Sequence, residues 1–91
     1  MLEAVKLALG ITIDDLDDDI LANIMVARAE LIRAGVSADV AMSDMDVLVE
    51  QAIKTYCKAM YTTDINKSEK LMESFKYQQE CLRKSIGYSN D

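Results

Sequence analysis

Apolar residues recur along this chain at intervals of three and four, the period of helices that bury one face. Leu2, Val5 and Leu9 form the first stripe, and Gly10 follows where a helix would stop, so the pattern predicts a short helix over 2–9. Ile11-Thr12-Ile13 links it to a second segment, where Thr12 and Asp15 have the spacing of a capping box. A long helix is predicted from there to about Ala34, with Leu16, Ile20, Ile24, Ala27 and Leu31 inward, Leu21 and Ile32 widening the stripe, and Gly35 as its stop. Residues 36–43 read as a connector.

Ser43 and Asp46 repeat the capping signal, and a third helix is predicted to about Tyr61. Its stripe is Met45, Val49, Ile53, Tyr56 and Met60, broadened by Leu48, Ala52 and Cys57. After the break at Thr62-Thr63-Asp64-Ile65, Asn66 with Glu69 supplies a third cap. The last helix should run to about Ile86 with Met72, Phe75, Gln79, Leu82 and Ile86 inward, Gly87 as stop and Tyr88–Asp91 as tail. The expected architecture is an all-α bundle of one short and three longer helices, forming a single domain over residues 1–91.

Composition supports helices. Hydrophobic residues make up 51% and aromatics 5%, so the core must be built from Leu, Ile, Val, Met and Ala. With no proline and three glycines, the chain lacks the turn residues of a many-stranded β fold. A chain of 91 residues buries only about 60 to 65% of its unfolded surface, which makes a lone monomer marginal. The opening segment is too short and too charged, through Glu3 and Lys6, for a signal peptide, and no apolar run reaches the roughly 18 residues of a membrane span. The expectation is a soluble protein, intracellular while it is made.

Net charge is −6, against the cation excess that phosphate-backbone affinity requires. Residues 1–46 carry ten carboxylates and three cations, residues 47–91 six and seven, so the halves come to −7 and +1. Opposite ends of neighbouring copies could attract.

Asp14-Asp15-Leu16-Asp17-Asp18-Asp19 invites comparison with a calcium loop. Counting from Asp15, however, Ile20 stands where that loop needs its glycine and Val26 where it needs its bidentate glutamate. Carboxylates at a helix start, facing the positive end of its dipole, are the better reading, with a contact between subunits second. Without histidine, and with Cys57 and Cys81 isolated, no metal site, cofactor site or catalytic nucleophile is expected. Both thiols read as reduced core or near-core groups. Tyr56 belongs to an apolar stripe, while Tyr77 and Tyr88 suit an interface. Lys54 and Lys58 repel one another at a spacing of four unless an acid lies opposite, which points to an acidic partner such as the Asp14–Asp19 segment of an adjacent copy. Lys76, Glu80 and Lys84 form ordinary solvated pairs on the last helix.

Taken in order, these pieces resemble the ring-forming head-to-tail connector proteins of tailed bacteriophages, often described as DNA-packaging proteins. Leu2-Glu3-Ala4-Val5-Lys6-Leu7-Ala8-Leu9 and Gly10-Ile11-Thr12 resemble the family's opening, with Gly10 where arginine is common. Asp15-Leu16-Asp17-Asp18-Asp19-Ile20, with Ile24, Ala27 and Gly35-Val36, resembles its acidic, aliphatic second helix. Ala52-Ile53-Lys54-Thr55-Tyr56-Cys57-Lys58, Lys70-Leu71-Met72-Glu73-Ser74-Phe75 and Ile86-Gly87-Tyr88 resemble its third-helix, fourth-helix and terminal signatures. A loop that longer members carry between the second and third helices is not evident.

The resemblance implies a non-enzymatic structural subunit that forms a ring beneath the portal protein, extends the DNA channel and carries stopper or tail-completion proteins. DNA would pass without specific binding, and no membrane would be involved. It implies the virion head–tail junction as the final location and the host cytoplasm during assembly. Interface candidates are Asp14, Asp15, Asp17, Asp18, Asp19, Lys54, Lys58 and Tyr88. The alternative is a small helical regulatory or adaptor protein that dimerises and binds one protein partner; a DNA-binding packaging factor is the third possibility.

Overall fold

The structure is a computed structural model and describes residues 1–85. Its helices are α1 (Leu2–Leu9), α2 (Asp17–Arg33), α3 (Ala38–Ala41), α4 (Val47–Tyr61) and α5 (Ile65–Lys84), and the described residues contain no β-strand. Helix α4 is central: α1, α2 and α5 all pack on it. Their shared core joins Val5 of α1 to Ile20, Ile24, Ala27 and Leu31 of α2, to Val49, Ala52, Ile53, Tyr56 and Cys57 of α4, and to Phe75 and Leu82 of α5. Tyr56 and Phe75 meet edge to face with centroids 5.1 Å apart, a favoured aromatic geometry.

The two glycine stops are as expected, and for a backbone reason. Gly10 (φ +73°) and Gly35 (φ +108°) both take positive φ, which lets the chain fold back and satisfy carbonyls of the last turn. Ile11 N–H donates to Lys6 O, and Val36 N–H donates to Leu31 O, both at 3.0 Å.

Helix starts differ from expectation. Ser43 does not cap α4, because its hydroxyl accepts from Met45 N–H and its carbonyl is held by Arg28. Asp46 caps instead, accepting from Leu48 N–H at 2.9 Å and Val49 N–H at 3.1 Å. Likewise Asp64, rather than Asn66, caps α5 by accepting from Lys67 N–H. Neither Thr12 nor Asp15 caps α2: the chain turns with Asp17 N–H donating to Asp14 O, and the helix begins one residue after Leu16 without a side-chain cap. Asp17, Asp18 and Asp19 then occupy its first turn, against the positive end of the dipole.

Moving the start of α4 leaves Met45 outside the helix and 89% exposed. Leu48 and Met60 also face outward, because the face wedged among α1, α2 and α5 is the one carrying Val49, Ala52, Ile53, Tyr56, Cys57 and Ala59. The connector contains the extra one-turn helix α3, which brings Ala41 into the core. Gln79 is inward as expected, donating from Nε2 to Glu30 O at 3.2 Å. Cys57 is buried, but Cys81 is exposed on α5, a correction to its reading as a core or near-core thiol. Ile86, Gly87 and Tyr88 lie outside the described residues.

Candidate assembly surfaces

The acidic run is organised by a lysine eight residues before it. Lys6 lies on α1 next to the core residue Val5, with its side chain 5% exposed; its Nζ sits 2.7 Å from Asp14 Oδ1 and 2.8 Å from Asp17 Oδ1. A buried ammonium is tolerated only when it is paired in this way. Donating to Asp14, and then to Asp17, holds the Lys6 ammonium well above the ordinary lysine range, and Lys6 in turn lowers Asp14. Asp14 and Asp17 therefore pin the α1–α2 turn from within the subunit. Asp15, Asp18 and Asp19 are exposed, and the described residues offer them no cation.

Arg28 is a second buried cation. Its Nη1 donates to Ala41 O at 2.8 Å and Ser43 O at 2.9 Å, and its Nη2 to Asp44 Oδ1 at 2.5 Å. Three acceptors on one guanidinium tie α2 to the end of α3. The sequence carried a signal for it: Arg28 lies four residues after Ile24 and three before Leu31, in register with the buried stripe.

Of the basic candidates, Lys54 lies 3.1 Å from Glu50 of its own helix, which relieves the repulsion read between Lys54 and Lys58. Lys58 is exposed and borders a groove of about 560 Å³ with Leu9, Ile11, Tyr61, Lys67 and Leu71, at the junction of α1, α4 and α5. Tyr61 Oη is buried beside it and has no hydrogen-bond partner among the described residues. On α5, Glu80 pairs with Arg83 at 2.7 Å and more loosely with Lys84 at 3.8 Å. Tyr88 falls outside the described residues.

Large apolar side chains also face outward: Leu21, Met25 and Val26 on α2, Met42 and Met45 in the α3–α4 connector, and Val47 and Leu48 at the start of α4. Leu21, Met25 and Met42 line one groove of about 410 Å³ with Met1, Leu2 and Asp44. Among the described residues no three His, Cys, Asp or Glu side chains are grouped to hold a metal ion, and no helix is long and apolar enough to cross a membrane.

The described residues thus form a small all-α bundle that leaves large apolar side chains of α2, the α3–α4 connector and α4 exposed. The chain belongs to the phage connector protein family, whose model matches it over residues 1–91. No curated protein and no solved structure matches it. The family is a structural one, and membership gives this chain a role in joining phage head to tail.

Proposed function

We propose that residues 1–91 act as one connector domain that assembles into a closed ring under the portal protein, extends the DNA channel, and receives a stopper or tail-completion protein on its other side. The observation that carries this reading is the family match over the whole chain; the exposed Leu21, Met25, Met42, Met45, Val47 and Leu48 of a bundle too small to cover them agree with it. Heterologous contacts related by a closing rotation bury such surface identically in every copy. Within the acidic segment, Asp15, Asp18 and Asp19 belong, with Lys54, Lys58 and Tyr88, to the contacts between copies and with neighbouring proteins, while Asp14 and Asp17 hold the segment in place through Lys6. The net charge of −6 suits a channel wall along which DNA slides without being gripped. The subunit is made in the host cytoplasm and ends in the virion at the head–tail junction, with no catalytic step of its own.

Native mass spectrometry of the full chain, alone and with a portal assembly, tests the proposal. A closed ring of many copies is expected in at least the second condition. A stable dimer at every concentration, indifferent to portal, would instead identify a dimeric adaptor. DNA affinity measured against salt should be weak throughout.

A further inference from the structure

We propose that the contact between neighbouring copies is made by the outer face of α2 on one subunit against the outer face of α5 on the next, the two helices running parallel. This rests on the ring reading and names its interface. On α5, Lys67, Lys70, Ser74, Tyr77, Cys81 and Lys84 recur at spacings of three and four and are all exposed, Tyr77 at 72%. That is the period of a helix-packing seam. On α2, Asp18 in the first turn leads into Ala22, Met25 and Ala29 at the same spacings, with Asp15 in the turn just before the helix, all of them exposed.

The two seams lie on opposite flanks of one subunit. Gln79 of α5 bonds Glu30 of α2, so these two positions mark the sides on which the helices face each other. At about 100° per residue, Lys70 and Tyr77 lie about 160 to 180° around α5 from Gln79, and the α2 seam of Asp18, Ala22, Met25 and Ala29 lies about 80 to 140° around α2 from Glu30, on the side away from its buried stripe. Opposite flanks are what a head-to-tail contact needs; one shared flank would give a twofold dimer.

Direction follows from the same pair of helices. Glu30 stands against Gln79, and Gly35 against the Arg83 side chain, so α2 and α5 ascend together within a subunit. Rotation about a ring axis lying along the helices preserves that sense between copies.

Aligning Met25 with Tyr77 then places Asp18 opposite Lys70, acid against base, and brings Asp15, in the turn just before α2, to the same end of the seam as Lys67. It also sets Ala22 opposite Ser74 and Ala29 opposite Cys81, small residues that let the helices approach closely. Its apolar centre is a methionine on a tyrosine ring, a favourable pairing, and the same register sets half-buried Ile32 beside the stem of Lys84. Among the described residues Asp15 and Asp18 have no cation partner, and Lys6 is committed to Asp14 and Asp17.

The register is tested by cross-linking the full-length protein under the conditions in which it assembles. Ala29→Cys should form a disulfide with the native Cys81 of the next copy on mild oxidation, producing a ladder of covalent oligomers, whereas wild type should produce none. Asp18→Lys and Lys70→Glu should each raise the concentration needed for assembly by ~10-fold, a shift equivalent to ~1.4 kcal/mol, and the double variant should recover most of the loss. Circular dichroism of each variant separates loss of contact from loss of fold. Rings that form normally in all the charge variants and yield no Ala29→Cys ladder would overturn this interface and leave the ring standing. Cross-linking that stops at a covalent dimer would overturn it in favour of a twofold contact. A wild-type chain that stays monomeric beside its portal would bring down the ring and the interface together.

Discussion

Arg28 and Asp44 are joined at 2.5 Å across sixteen residues of chain, and the same guanidinium holds the carbonyls of Ala41 and Ser43. This one side chain closes the connector between α2 and α4 over the core. Arg28→Met keeps the aliphatic stem but leaves the two carbonyls without their donor, so we expect a loss of about 2 to 3 kcal/mol in urea unfolding. Arg28→Lys should recover less than half, because an ammonium cannot span three acceptors in a planar fork.

The Lys6 cluster should give stability a defined pH profile. Asp14 is lowered from its ordinary value of 3.8 by its hydrogen bond to Lys6, so its contribution is complete above that value and lost as pH falls through the lowered one. Lys6 is raised above 10.5, so its contribution is complete below 10.5 and disappears only as pH rises through its higher folded value. Lys6→Met should therefore differ from wild type by a constant amount across the neutral range, with the gap narrowing in acid. Thermal melts from pH 2 to 9 check this; a gap that widens below pH 3 contradicts the pairing.

The two thiols should separate cleanly. Burial pushes Cys57 up to about 11, while Cys81 is exposed. Titration with a thiol reagent at pH 8 should label one cysteine within minutes and the second only at the rate of unfolding. Cys81→Ser should abolish the fast phase without lowering the melting temperature.

Capping assigns a cost to particular carboxylates. Asp46→Ala and Asp64→Ala should each destabilise by about 1 kcal/mol, whereas Asn66→Ala, which removes no cap, should be close to neutral. Denaturant titration of the three variants tests the helix starts directly.

The glycines should respond unequally to alanine. A Cβ at Gly35 would stand 3.0 Å from Arg83 Cδ at φ +108°, whereas one at Gly10 would meet nothing within 4 Å at φ +73°. Left-handed strain alone costs about 1 to 2 kcal/mol. Gly35→Ala should exceed Gly10→Ala in unfolding measurements, since Arg83 must also move.

Much of this architecture was legible in the chain because helical period, glycine stops and aliphatic composition act locally. Val5, Ile20, Ile24, Leu31, Val49, Ile53, Phe75 and Leu82 all occupy the stripes that place them inside. Helix starts were harder to read. Ser43 and Asp46 have equal claim in sequence, and only the capture of the Ser43 carbonyl by Arg28 and of its hydroxyl by Met45 N–H leaves Asp46 to cap. Choices of this kind depend on partners distant in the chain.

The sequence by itself determined an all-helical chain, the ends of its first two helices and the aliphatic faces that form its core, since each follows from spacing and backbone preference within a few residues. Tertiary structure alone decided that Lys6 and Arg28 are interior cations, that Cys81, Met45 and Met60 face outward, and that Asp14 and Asp17, of the acidic run, are the ones paired with Lys6. The physical reason is that burial and charge pairing are properties of surfaces brought together from separate helices: Lys6 acquires its partners only when α1 folds against the turn that opens α2.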